Sequence, residues 1–72
     1  MAETIISEII HVNGFKKVLI IKRNDGMYTY RRQELTDNGW SSPTIDAGVY
    51  DSPDTAESEA RLRVPWLREL FH

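Results

Sequence analysis

The 72-residue chain has no cysteine and only two histidines, and no stretch of it approaches the ~20 apolar residues needed to cross a bilayer. Without cysteine there is neither a disulfide nor a thiolate metal site to supplement the core. The amino-terminal stretch Met1-Ala2-Glu3-Thr4-Ile5-Ile6 lacks the basic segment and unbroken apolar run of a signal peptide, so a soluble cytoplasmic protein is expected. His11 and His72 are the only imidazoles. A nucleophile–base pair would need Ser7, Ser41 or Ser42 held against His11, and no motif surrounds any of them. Metal ligation by His11 with Glu3 or Glu8 has no second ligand pair at a repeated spacing. The four glycines lie singly in turns rather than in a phosphate-cradling loop. The carboxylate pairs Asp51/Asp54 and Glu57/Glu59 read as the solvated start of a helix. No enzymatic activity, metal or cofactor is expected.

What is present describes one small domain spanning residues 1–72. Its composition, 40% hydrophobic and 28% charged, is that of a globular chain rather than a disordered one. A chain this short buries about 60% of its unfolded surface, and its expected stability is about 4–11 kcal/mol. Domains with so thin a core often gain stability by association.

The clearest local signal is a helix start at Asp51-Ser52-Pro53-Asp54. Ser52 can accept a hydrogen bond from an orphan first-turn N–H, and Pro53 sits where its missing N–H costs nothing. Asp54, Glu57 and Glu59 place negative charge near the positive end of the helix dipole. The helix is expected from Pro53 to about Val64, because Pro65 would lose a hydrogen bond and strike the carbonyl of Arg61. Trp66, Leu67, Leu70 and Phe71 recur at helical spacing and imply a further short helical turn. Upstream, Asn13-Gly14 and Asn24-Asp25-Gly26 punctuate apolar runs as hairpin turns, the first read as type I′. Ile5, Ile6, Ile9 and Ile10 suit a helix face or a strand, and the following hairpin signal favours the strand. The expected fold class is α+β: a three-stranded antiparallel β-meander followed by one C-terminal helix (β-β-β-α). The Trp40–Gly48 stretch, broken by Pro43, reads as a connection.

If Val12 pairs with Phe15, one face of the first hairpin carries Ile6, Ile10, Val12, Phe15, Leu19 and Ile21. The other carries Ile5, Ile9, Val18 and Ile20. Both faces are apolar, and one helix covers one of them. The other is left to water, a partner, the Trp40–Gly48 segment or the tail. Ala56 and Ala60 would let the helix approach closely, with the face they meet left open. Trp40, Tyr50, Trp66 and Leu67 are the expected packing anchors, and each tryptophan reads as a core or interface anchor before a ligand site.

Charge is split along the chain. Residues 13–33 hold six basic residues against Asp25, a net +5, and the remainder holds three arginines against ten acids, a net −7. The halves could attract one another within the fold or across a dimer, or the basic part could meet an anionic partner. The candidate partner-binding residues are Lys16, Lys22, Arg31 and Arg32 with Tyr28 and Tyr30, the cationic and aromatic ingredients of nucleic-acid surfaces. An acidic pI of about 5.6 opposes that reading, and strand lysines also serve against aggregation. The leading expectation is a non-enzymatic interaction module that pairs with itself or another protein. Nucleic-acid binding is the alternative, and no membrane role is expected.

Gly26-Met27-Tyr28, Gly39-Trp40, Gly48-Val49-Tyr50-Asp51-Ser52, Ala56-Glu57-Ser58-Glu59-Ala60-Arg61 and Val64-Pro65-Trp66-Leu67 together resemble a family of short, uncharacterised bacterial proteins. The resemblance covers most of the chain beyond residue 15, and its Tyr-Asp-Ser start and Pro-Trp-Leu ending are its distinctive parts. It implies the same strand-strand-strand-helix domain and, with no established activity, transfers no functional residue. The topology is also similar to the three-stranded DNA-binding domains of plant ethylene-response factors and of some integrase amino termini, a likeness of fold and not of function.

Overall fold

In the computed structural model, which describes residues 3–70, an antiparallel sheet is backed on one side by two consecutive helices. The expectations placed on Met1, Ala2, the Leu70 side chain, Phe71 and His72 lie outside the described residues. The strands are β1 (Thr4–Ile10), β2 (Lys16–Lys22), β3 (Tyr28–Thr36) and β4 (Gly39–Trp40), paired in that order. The meander therefore has four strands, not three. The turn Thr36-Asp37-Asn38-Gly39 reverses the chain tightly enough for Leu35 to pair with Trp40. Thr36 holds that turn, its hydroxyl donating to the Gly39 carbonyl (2.7 Å) and accepting the Asn38 N–H (3.2 Å).

The connection beyond Trp40 is also part of the sheet's edge. It runs back along β3, with Ser41 N–H donating to the Glu34 carbonyl, Thr44 N–H to Arg32 and Ala47 N–H to Tyr30. It ends with Tyr28 and Tyr50 exchanging both backbone hydrogen bonds at 2.8 Å. One edge of the sheet is closed by this strap, and the other is the outer side of β1. A bulge between Ile5 and Ser7 interrupts β1, so Ile5 rather than Ile6 lies opposite Ile21.

Both early hairpins form, but the first is not a type I′ turn. Of its two central residues only Gly14 has positive φ (+77°); none of the described non-glycine residues does, so Asn13 does not. The β-turn instead closes from His11 to Gly14, and the His11 N–H reaches the Lys16 carbonyl across a longer loop. Arg23 to Met27 repeats the pattern around Gly26 (φ +86°), a three-residue loop with glycine in the left-handed position.

The first helix, α1 (Pro53–Arg63), begins as its sequence dictates: Ser52 Oγ accepts the Thr55 N–H at 3.1 Å with Pro53 in the first turn. It ends at Val64, whose extended backbone (φ −88°, ψ 113°) is the conformation a following proline imposes. Val64 closes α1 through its N–H to Ala60, and its carbonyl accepts from Leu67 and Arg68 to open α2 (Pro65–Leu70). An isolated helix of this length is marginal in water. Packing holds this one: Ala56, Ala60, Val64 and Leu67 are at most 1% exposed and join Val18, Ile20 and Tyr30 in the core. The helices thus cover the face of Val18 and Ile20, to which the register adds Ile9.

Candidate interaction surfaces

The opposite face of the sheet, left without a helix, is divided into two zones. Register places Ile5, Glu8 and Ile10 of β1, Lys17, Leu19 and Ile21 of β2, and Thr29, Arg31, Gln33 and Leu35 of β3 on it. Phe15 joins them through the Leu35 N–H, which donates to its carbonyl, and Trp40 through its pairing with Leu35. Leu19 and Ile21 are only 4% and 3% exposed although no helix lies over them.

Charged side chains close that middle zone. Arg31 grips Glu3 with both Nη atoms (2.9 and 2.7 Å) and donates from Nε to Asp46 at 2.6 Å. Asp46 also meets Arg23 at 3.3 Å, and Arg23 meets Asp25 at 3.1 Å. The network ties the residue before β1, the β2–β3 turn, β3 and the strap together. The hydrogen bond from Arg31 holds the Glu3 carboxyl below its usual range, and the same partners hold Arg31 above its own. Beside it Thr29, fully buried, donates its hydroxyl to the Gly48 carbonyl at 2.6 Å. The charge split in the sequence therefore expresses itself within the fold, with Glu3 and Asp46 of the acidic portion neutralising Arg31 and Arg23 of the basic one.

The other zone, at the end nearer the β1–β2 and β3–β4 turns, has no such cover. Ile10 (54%) of β1, Phe15 (57%) just before β2, Leu35 (38%) of β3 and Trp40 (37%) of β4 stand exposed in a band across the sheet, with Val12 (83%) in the adjoining turn. The Lys17 ammonium lies 4.3 Å from the Trp40 ring centroid and pairs with Glu8 at 3.0 Å. Trp40 is thus outside the core: its partly exposed ring lies beside Lys17 on the face away from the helices.

The sequence-predicted partner residues do not form one surface. Tyr28 and Tyr30 face the helices, Tyr30 only 4% exposed and stacked on Tyr50 (6.3 Å between centroids, 14° between planes). Burial pushes the Tyr30 phenol above its usual pKa. Arg31 is on the opposite face and engaged by two carboxylates. Lys16, Lys22 and Arg32 share the helix-side face, but Lys22 is six strand residues from Lys16, about 20 Å along β2. Only Lys16 and Arg32 come together. Of the anchors, Tyr50 and Trp66 pack half-buried against the core, Ser52 and Pro53 start α1, and Ala56, Ala60 and Leu67 are fully buried.

His11, Ser41, Glu57 and Glu59 are engaged in structural contacts. His11 Nδ1 accepts the Asn13 N–H at 3.0 Å, and its ring meets Trp66 edge-on at 5.1 Å. Ser41 Oγ accepts the Glu34 N–H at 3.0 Å. Glu57 and Glu59 pair with Arg61 and Arg63 one turn on. Among the described residues no cluster of His, Asp or Glu has metal-site geometry, and no helix is long and apolar enough to cross a membrane. No family model, curated protein or solved structure matches this chain.

Proposed function

We propose that this protein is a small non-enzymatic interaction module whose helix-free sheet face docks against a second copy of itself. The supporting observation is the exposed band Ile10, Phe15, Leu35 and Trp40 beside a zone that the fold has already closed with its own ion pairs. An isolated exposed leucine is ordinary, but a contiguous apolar band rimmed by charge marks a contact surface. Self-docking suits it because the adjacent Lys17 and Glu8 are paired internally, so two such faces meet without bringing net charge together. A two-fold axis would oppose the same patch on each copy.

The contact is face to face rather than edge to edge. The open edge of β1 carries a bulge and Glu8, both of which discourage strand addition. A stable interface buries about 800 Å² per partner, more than these side chains offer alone, so the association is weak. Sedimentation equilibrium from low to high micromolar protein tests it. The wild-type chain should self-associate, Phe15→Glu should stay monomeric, and Leu62→Glu, altered on the exposed side of α1, should behave as wild type. A strict monomer at the highest concentration, or association untouched by Phe15→Glu, refutes the proposal.

A further inference from the structure

The cations of the sheet fall into two classes. Lys17, Arg23 and Arg31 each have a carboxylate partner, whereas Lys16, Lys22 and Arg32 make no ion pair among the described residues. Two of the second class converge. Val18 lies opposite Arg32 and Lys16 opposite Glu34, which makes Lys16 and Arg32 diagonal neighbours on one face, about 7–8 Å apart at the backbone. They line a cleft of about 310 Å³ with Gln33, Glu34, Pro65 and Trp66. That volume is at the lower end of small-ligand sites, which begin near ~300 Å³.

Each wall supplies a different recognition element. Lys16 and Arg32 offer charged donors suited to a phosphate. Trp66 offers a half-buried indole, with His11 packed against it edge-on at 5.1 Å. Glu34 offers an acceptor for an exocyclic amine, the pairing carboxylates make with cytosine N4. A second cleft of about 300 Å³ adjoins the first across Arg32, lined by Tyr30, Arg32, Thr44, Ala47, Arg63 and Val64. Arg32 is therefore a shared wall, with a further arginine beyond it.

We infer that this cleft binds a nucleotide unit, its phosphate on Lys16 and Arg32, its base stacked on Trp66 and an exocyclic amine on Glu34. The site is narrower than the sheet-wide basic surface suggested by the sequence, leaves out Arg31, Tyr28 and Lys22, and is independent of docking on the opposite face. The unit reaches it either as a free mononucleotide or as part of a single strand whose next phosphate meets Arg63.

The test uses the full chain carrying Trp40→Phe, which leaves Trp66 as the sole tryptophan. Its fluorescence is titrated with cytidine monophosphate, uridine monophosphate, a short oligocytidine strand and inorganic phosphate. Saturable quenching by the cytidine probes is expected, with affinity falling as salt rises. Uridine, without the amine, should bind more weakly. Arg32→Ala and Lys16→Ala should each weaken binding about tenfold or more, and Lys22→Ala, an equal change in net charge, should not; all three positions are exposed. Tighter binding of the strand than of the mononucleotide assigns both clefts to a single strand, and equal binding assigns the first cleft to a free nucleotide. No saturable quenching by either cytidine probe at low salt overturns the inference. So does a loss with Lys22→Ala equal to that with Arg32→Ala, which would mean diffuse attraction to charge.

Discussion

Replacing Leu67 by alanine should be among the most damaging single changes to this fold. Leu67 is fully buried (0% exposed) on the six-residue α2, in one cluster with Val18, Ile20, Tyr30, Ala56, Ala60 and Val64. Burying a leucine side chain is worth about 1.5–3 kcal/mol by area. Leaving its cavity behind raises the cost of Leu→Ala to about 2–5 kcal/mol. A domain of this length has about 4–11 kcal/mol in total, so the change removes a large share and can unfold the protein. Trp66 carries the larger side chain but is only half-buried, so Trp66→Ala should cost less than the ~3–5 kcal/mol of a fully enclosed aromatic. Leu62, 64% exposed on α1, serves as the control and should change stability by at most about 0.5 kcal/mol when truncated. Urea unfolding followed by far-ultraviolet circular dichroism ranks the three. The expected order of loss is Leu67→Ala, then Trp66→Ala, then Leu62→Ala. A Leu67→Ala midpoint equal to wild type would show that α2 does not close the core.

Other perturbations follow from individual contacts. Ser52→Ala removes the acceptor for the Thr55 N–H and should cost about 1 kcal/mol in the same unfolding assay. Gly48→Ala would place a Cβ 2.7 Å from the Tyr50 hydroxyl oxygen, forcing the ring off its stack with Tyr30 at a cost of about 1–3 kcal/mol, read by thermal melting. The Glu3 carboxyl, held below its ordinary value by Arg31, should contribute stability above that value and lose it as pH falls through the lowered one. Wild type should therefore exceed Glu3→Gln in stability at neutral pH, and the gap should close in acid, as unfolding across a pH series will report.

The parts of this fold legible in the sequence were those fixed by local chemistry. Ser52-Pro53 could start a helix unaided, Pro65 could stop it, and Gly14 and Gly26 could turn the chain, because each acts through its own backbone. The fourth strand was less visible because Gly39-Trp40 is too short to show a period, and the strap beyond it bonds β3 through every third residue, Ser41, Thr44, Ala47 and Tyr50, a spacing that strand alternation does not reveal. Which face the helix meets was undecidable from patterning, since both sides of β2 carry branched residues. In the fold Arg31, paired with Glu3 and Asp46, lies on the face opposite the one that Ala56 and Ala60 meet. Those two acids are 28 and 15 residues from Arg31, so no local rule pairs them. Only the uneven charge of the two halves pointed that way. Lys16 and Arg32 were legible as cations, but their meeting with Trp66 depends on how α2 turns back after Val64.

Dilution of the isotope-labelled protein, followed by amide chemical shifts, tests the central claim most directly because it locates the contact as well as detecting it. Docking through the helix-free face predicts concentration-dependent shifts at Ile10, Phe15, Lys17, Leu35 and Trp40, with α1 unchanged. A spectrum constant from low to high micromolar protein, or shifts confined to the helix side, contradicts it.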